Sequence, residues 1–228
     1  MTDYQRLCKN DYVKTAVAIA LIVAIVLGFF FGLGVALGTA VPVRVVESGS
    51  MCLEPYGCDG WSHPFDQTLH VGDIIIIQSV NPEDLSADYP NSDIIVYQKP
   101  TLRGNTQATP IVHRIVEKYK VDGIWYFQTK GDGNGVNWPT TPTSSEYDSH
   151  TLWNTGQGIP QDLVLGKVVM RIPYFGWITL FMRSNSGALP LMVMLILLLI
   201  VIEFVIPVVR AEKNKKRIEQ QKDGVKEL

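Results

Sequence analysis

Three short segments in the middle of the chain carry residue types that together can cleave an acyl bond. Ser50 lies in the run Ser48-Gly49-Ser50-Met51, where Gly49 permits a tight turn that exposes the hydroxyl. His113 lies in the strand-like run 111–116. A histidine titrates near neutral pH, so it can accept the serine proton and pass it to a leaving amine. Taken singly, a Ser-Gly-Ser turn and a half-buried strand histidine are ordinary features, so only their combination indicates chemistry.

A carboxylate beside this histidine would hold its tautomer and stabilise the imidazolium. Asp132 is a candidate, although its run Gly131-Asp132-Gly133-Asn134 is also a strong turn signal. Lys130 is an alternative base, because some serine hydrolases use a desolvated lysine. The backbone amide of Ser50 and the hydroxyl of Ser48 are the candidate donors to an oxyanion.

The segments that must position these residues are mostly β. Apolar, β-branched runs bounded by turn residues predict a domain of short strands, with a hairpin turn at residues 121–123. By contrast, residues 135–160 are rich in Gly, Asn, Pro, Ser and Thr, which indicates a long insertion. The predicted fold is therefore a mostly β domain, a curled sheet or partial barrel, flanked by two transmembrane helices. The predicted strands are 43–47, 73–80, 93–98, 110–119, 123–129 and 164–172, and 82–87 looks helical.

Two apolar segments place the chain in a membrane. In a chain of 228 residues with a formal net charge of −2, residues 15–43 contain no charged residue and residues 187–209 contain only Glu203. A spanning helix needs roughly 20 apolar residues, and a cleaved signal peptide would have a shorter apolar core. Glu203 is near the end of its segment, so we interpret it as reaching the interface.

Basic residues flank both apolar segments on the terminal sides, which predicts that both termini are cytoplasmic. The intervening domain then lies outside, and no nucleic-acid motif is present in the basic tail. The predicted organisation is a cytoplasmic N-terminus 1–14, a first span 15–43, an outer domain 44–183, a second span 187–209 and a basic cytoplasmic tail 210–228.

The cysteines divide between the two predicted sides of the membrane. Cys52 and Cys58 fall on the outer side, where disulfides persist, and we hypothesise a bond between them. These two cysteines lie close to His63 and His70, but the spacings match no common zinc pattern. The sequence therefore predicts neither a metal nor another cofactor.

Five blocks, in their order and approximate spacing, resemble the type I signal peptidases across about residues 41–177. The bacterial branch carries a lysine where this chain has His113. The chain therefore resembles the archaeal and endoplasmic-reticulum branch, which uses serine and histidine. The blocks are Ser48-Gly49-Ser50-Met51, Leu69-His70-Val71-Gly72-Asp73-Ile74, His113-Arg114, Thr129-Lys130-Gly131-Asp132-Gly133-Asn134 and Gly166-Lys167-Val168-Val169.

The resemblance implies a mostly β catalytic domain that lies on the membrane and removes signal peptides, cutting after small residues at positions −1 and −3. It implies that Ser50 is the nucleophile, that His113 is the general base and that Ser48 joins the Ser50 amide in the oxyanion hole. Asp73 would support the site structurally. The implied partners are preproteins, the lipid bilayer and the protein-export channel, and the domain would face the outside of the plasma membrane or a eukaryotic lumen.

Two departures from the family pattern affect this reading. An insertion at residues 52–67 separates the nucleophile from the Gly-Asp block, and Trp138 stands where the family commonly has a second aspartate. Asp132 matches the first aspartate, whereas Asp148, inside the second insertion, is the other candidate for the third catalytic member. A related protease that uses Lys130, and a non-catalytic membrane-anchored β domain that binds a partner, are the alternatives.

Overall fold

The protein combines an apolar helix with a single antiparallel sheet. A computed structural model describes residues 11–53, 68–99, 109–148, 157–185, 187, 190–199 and 202–203. The chain divides into two compact units, Met1–Trp177 and Ile178–Leu228, and the sheet lies wholly in the first.

Helix α1 (Asp11–Leu37) precedes the sheet. Within it, Val17–Leu37 has a mean hydropathy of 2.8 and contains no buried residue in its most apolar stretch, so it is long and apolar enough to cross a membrane. Gly38, with a φ of 64°, ends the helix in the left-handed conformation that glycine tolerates best. The predicted first span, 15–43, runs past this point into the first strand.

Seven strands form a curled half-barrel in which every neighbouring pair is antiparallel. The order across the sheet is β1-β2-β7-β3-β4-β5-β6, so β1 and β6 are the edges. The strands are β1 (Val43–Val45), β2 (Ile74–Gln78), β3 (Ile94–Tyr97), β4 (Ile111–Val121), β5 (Ile124–Lys130), β6 (Ile159–Pro160) and β7 (Val164–Ile172).

Strand β3 occupies the centre of the sheet and is buried on both faces. Ile95 and Tyr97 contribute to one apolar cluster, with Leu85, Ile115, Phe127, Ile159 and Leu163. Ile94 and Val96 contribute to a second cluster, with Val46, Met51, Leu69, Ile75 and Ile77. Because successive strand residues point to opposite faces, the two clusters cover the two faces of the sheet at β3.

Six of the seven strands lie where the apolar runs predicted them. The β4–β5 hairpin turns at Asp122 and Gly123, whose φ values of 49° and 84° are those of a tight hairpin with two left-handed residues. Strand β6 was not predicted, since its two residues are too short to show periodicity. Residues 82–87, predicted as helical, contain one 3-10 turn, Pro82–Asp84.

Helix α2 (Trp177–Ser184) begins at the end of the first unit, and a ten-residue apolar helix, Pro190–Leu199, follows in the second. Within the described residues, that stretch is shorter than a membrane span. Most of the remaining residues of the predicted second span, 187–209, lie outside the described residues, so the second span stays a prediction.

Candidate active site

Ser50 is presented by a turn whose backbone is anchored to the sheet. Val46, directly after β1, is buried, and its amide donates to the Asp73 carbonyl at 2.9 Å. Ser50 then lies in a 3-10 helix, Gly49–Met51, and the Met51 side chain is completely buried. The turn is therefore fixed from both sides while the serine side chain stays at the surface of the fold.

His113 contacts Ser50 on one side of its ring and a carboxylate on the other. Its Nε2 lies 2.9 Å from Oγ of Ser50, and its Nδ1 lies 2.6 Å from Oδ2 of Asp148. A carboxylate only accepts hydrogen bonds, so Nδ1 carries the proton and the lone pair of Nε2 faces the serine hydroxyl. This is the tautomer that a general base needs.

Asp148 reaches the histidine from the long loop after β5, and Thr129 holds it in place. The Asp148 amide donates to the Thr129 carbonyl at 2.9 Å, and Oγ1 of Thr129 donates to Oδ2 of Asp148 at 2.6 Å. Side-chain exposure is 4% for Asp148 and 5% for His113, so water is largely excluded from their contact. Electrostatic interactions are stronger in such an environment than in solvent.

Asp132, the other candidate acid, pairs with Arg114 instead of the histidine. Nε and Nη2 of Arg114 donate to its two carboxylate oxygens at 2.8 Å each, and Nη1 donates to the Ser92 carbonyl at 2.8 Å. The guanidinium also lies 5.4 Å from the ring centroid of Trp138. Burial raises the pKa of Asp132, and the Arg114 hydrogen bonds and charge oppose that rise.

The separation of the two carboxylates follows from the register of the sheet. His113 pairs with Ile95, whereas Arg114 pairs with Ile94 and with Lys130. Neighbouring residues of a strand point to opposite faces, so His113 and Arg114 recruit different carboxylates on different sides of β4.

Lys130, the alternative base, is almost fully buried and donates to backbone carbonyls. Its Nζ lies 3.1 Å from the Gly131 oxygen and 2.6 Å from the Val136 oxygen. Burial lowers its pKa, and the negative charges of Asp132, Glu146 and Asp148 oppose that effect. Its contacts tie the turn after β5 to the following loop.

Two glycines let this turn approach Ser50 closely. The Gly133 amide donates to the Ser50 carbonyl at 3.0 Å. A side chain at Gly131 would overlap that same carbonyl oxygen, and one at Gly133 would overlap the carbonyl oxygen of Cys52. The absence of a Cβ at both positions is therefore a requirement of the site, not merely of the turn.

Asp73 lies in a buried polar cluster that supports the segment leading to Ser50. Its Oδ2 accepts from the His70 amide at 2.8 Å and lies 3.5 Å from Nη1 of Arg171. Burial raises the pKa of Asp73, and the hydrogen bond from His70 and the Arg171 charge oppose the rise. The structural role that the sequence resemblance implied for Asp73 stays a prediction.

A cleft of about 400 Å³ opens beside the serine, lined by residues 45–48, 50 and 109–113. Its walls are the end of β1 and the start of β4, and half of the lining residues are apolar: Val45, Val46, Pro110, Ile111 and Val112. Oγ of Ser48 lies 3.4 Å from Oγ of Ser50. An acyl group bound in the cleft would thus meet the hydroxyl, the imidazole and a second hydroxyl donor.

Curated relatives match most of the chain. The relative from Metarhizium acridum is 28% identical over 185 residues, covering 81% of this chain and 88% of its own length. The one from Dictyostelium discoideum is 26% identical over 186 residues, covering 81% and 84%. The one from Plasmodium falciparum is 27% identical over 148 residues, covering 64% and 61%. All three are named signal peptidase complex catalytic subunit SEC11. No protein-family model matches the chain.

This chain is similar to the type I signal peptidases of the endoplasmic-reticulum branch. The two departures from the family pattern noted in the sequence are the insertion at residues 52–67 and Trp138 in place of a second aspartate. Most of the first, 52–67, lies outside the described residues, as do Cys58 and His63. Cys52 is disulfide-bonded, and its partner is outside the described residues, so the pairing with Cys58 stays a prediction. No cluster of three metal-ligating side chains occurs among the described residues.

Sequence analysis of this signal peptidase-like chain missed the residues that hold the second insertion. Glu146 accepts from the amide of Val136 at 3.0 Å and from the amide of Thr143 at 2.9 Å, closing the loop just before Asp148. The pattern Thr143-Ser144-Ser145-Glu146 is a capping box, a signal that the sequence does contain. The hydrogen bonds between Thr129 and Asp148 correspond to no such pattern in the sequence.

Proposed function

We propose that this protein is a membrane-bound serine endopeptidase that removes N-terminal signal peptides from exported preproteins. The observation that carries the proposal is the contact chain from Ser50 through His113 to Asp148, with distances of 2.9 and 2.6 Å. The relatives named as catalytic subunits of the signal peptidase complex support the substrate class.

In the proposed mechanism, Oγ of Ser50 attacks the scissile carbonyl while Nε2 of His113 takes its proton. Asp148 stabilises the resulting imidazolium through Nδ1. The imidazolium then protonates the leaving amine, which breaks the peptide bond and leaves an ester on Ser50. Water, deprotonated by His113, hydrolyses the ester and restores the serine.

The negative charge on the tetrahedral oxygen needs donors that are already in place. The amide of Ser50 lies in the first turn of a 3-10 helix, where the helix supplies no acceptor. The hydroxyl of Ser48 lies beside the nucleophile. We assign these two groups to the oxyanion hole.

The cleft beside β1 suits an extended peptide. β1 is an edge strand, so a substrate segment can add to it through backbone hydrogen bonds. The apolar half of the lining favours uncharged substrate side chains, which is compatible with small residues at −1 and −3. α1 ends only a few residues before β1, which keeps the nucleophile close to the bilayer surface where a signal peptide ends.

The same proposal places both termini in the cytoplasm and the sheet on the outer face of the plasma membrane, or in the lumen if the cell is eukaryotic. Preproteins, lipid and the protein-export channel are its proposed partners. The second span, 187–209, belongs to this proposal.

The test uses membranes that contain the full-length chain, incubated with a radiolabelled preprotein carrying alanine at −1 and −3. We expect cleavage after the −1 alanine, mapped by mass spectrometry, and no cleavage above background with Ser50→Ala. Ser184→Ala, a serine in the other unit, is the matched control and should cleave normally. Binding of the preprotein without cleavage by the wild type would instead support the non-catalytic alternative.

A further inference from the structure

We infer that Thr129, with Tyr97 behind it, is a positioning residue that fixes Asp148 against His113. The inference rests on the proposed function, since it assigns these two side chains a role in the same reaction. Neither residue touches the serine or the cleft, so neither is a catalytic residue itself.

Thr129 makes two hydrogen bonds with Asp148. Its carbonyl accepts from the Asp148 amide at 2.9 Å, and its hydroxyl donates to Oδ2 at 2.6 Å. The first bond fixes where the loop passes, and the second fixes how the carboxylate is turned. Thr129 has no exposed surface, so water cannot replace its hydroxyl.

Tyr97 extends this network by a further hydrogen bond, to the Thr129 hydroxyl. Its hydroxyl lies 3.2 Å from Oγ1 of Thr129 and 3.5 Å from Oδ2 of Asp148. The single proton of Thr129 is committed to the carboxylate, so Tyr97 donates to the threonine oxygen. Hydrogen bonds in such a chain polarise and strengthen one another.

The sheet itself brings these groups together. Tyr97 pairs with Ile111 and Thr129 pairs with Ile115, and both partners lie an even number of positions from His113. All three side chains therefore rise from the same face of the sheet. Strands thus hold all three side chains around Oδ2, while the carboxylate itself comes from a loop.

A loop-borne acid needs this support. Asp148 follows a long connection, and loop segments move more than the strands they connect. A catalytic constellation needs supporting hydrogen bonds that lock the rotamers of its members. Oδ2 accepts from His113 and Thr129, and the Tyr97 hydroxyl lies 3.5 Å away, so rotating the carboxylate would break both hydrogen bonds at once.

The test is a double-mutant cycle on the full-length chain in membranes, with the same alanine-bearing preprotein. Thr129→Val replaces the hydroxyl with a methyl group of similar size. We expect it to lower kcat by about ten- to a hundredfold, the range for a hydrogen bond to a charged group, with KM unchanged. Thr129→Ser, which keeps the hydroxyl, should restore kcat to within about threefold of the wild type.

The decisive measurement is whether the effect of Thr129→Val on kcat differs between the wild type and Asp148→Asn. In Asp148→Asn, adding Thr129→Val should cost no further activity, because the threonine acts through that carboxylate. A merely structural role would lower activity by the same factor in both backgrounds and would overturn the inference. Tyr97→Phe, expected to cost a few-fold in wild type and nothing in Asp148→Asn, carries the same test if Thr129→Val does not fold.

The possible failures are separable. Full activity of Ser50→Ala would overturn both the proposed function and this inference. An inactive Ser50→Ala and an impaired Asp148→Asn, together with wild-type kcat in Thr129→Val and Tyr97→Phe, would overturn the inference alone.

Discussion

Nε2 of His113 lies 2.9 Å from Oγ of Ser50, although 63 residues separate the two in the chain. One residue belongs to a strand near the middle of the sheet and the other to a turn that follows the apolar helix. A hydrogen bond between them requires the helix, β1 and β4 to be correctly placed together. The following experiments test what each group around this contact does.

The identity of the base is tested by alanine at His113 and methionine at Lys130. We expect His113→Ala to lower kcat/KM by roughly four to six orders of magnitude, as loss of a triad member does. Lys130→Met should instead lower stability by about 1–3 kcal/mol, because it leaves two buried carbonyls without their donor. Preprotein cleavage and thermal unfolding of both variants measure the difference. A dead but folded Lys130→Met with an active His113→Ala would reverse the assignment.

Substitution of Asp148 should mainly lower kcat, whereas substitution of Asp132 should mainly lower stability. Asp148→Asn, which cannot hold the required histidine tautomer, should lower kcat by about 10⁴-fold with little change in stability. Asp132→Asn removes the charge opposite buried Arg114 and should cost about 3–5 kcal/mol of stability. The two variants serve as controls for each other. Activity is measured per amount of folded protein. A larger loss of kcat in fully folded Asp132→Asn than in Asp148→Asn would contradict the choice of Asp148 as the third member.

Gly133 provides a test of close backbone approach. A Cβ there would overlap the Cys52 carbonyl oxygen, so Gly133→Ala must displace the turn that carries Ser50. A displacement of about 1 Å can cost roughly a hundredfold in rate. We expect a loss of that order in kcat/KM. Gly187→Ala, where an added methyl group meets nothing within 4 Å, should be silent. Equal activity of the two variants would show that the turn has room to move.

The alternation of apolar residues along β4 is enough to predict that His113 and Arg114 face opposite sides of a strand. What that pattern does not contain is which carboxylate comes to each side. Asp132 lies within a turn that matches the family, and local reasoning favoured it as much as Asp148. The choice depends on the path of a loop whose composition indicates only irregular structure, and that path is set by Thr129 and Glu146 through tertiary contacts. Hydrogen bonds of this kind between distant residues produce no periodic pattern in the sequence, so they could not be predicted from it.

The loop that carries Asp148 should respond to acid through Glu146. Hydrogen bonds from the amides of Thr143 and Val136 lower the pKa of Glu146 below its ordinary value of 4.5. Its contribution to stability is then fully present above about pH 4.5 and is lost as the pH falls through the lowered pKa of the folded state.

Glu146→Gln isolates this contribution. The difference in unfolding free energy between wild type and Glu146→Gln should be constant above about pH 4.5 and should shrink below it. Chemical unfolding between about pH 3 and 7 measures the difference. A difference that grew on acidification would contradict the assigned direction.

The serine, the imidazole and the carboxylate enter the chain in that order, at positions 50, 113 and 148. During synthesis the Ser50 hydroxyl therefore emerges first. Nearly a hundred further residues must follow before the loop that carries Asp148 can pack beside His113. A polypeptide that ends before Asp148 carries the serine and the imidazole without the carboxylate that the proposed mechanism needs to hold the histidine tautomer. In the proposed mechanism, the order of the three residues along the polypeptide therefore delays full activity until the loop that carries Asp148 has folded.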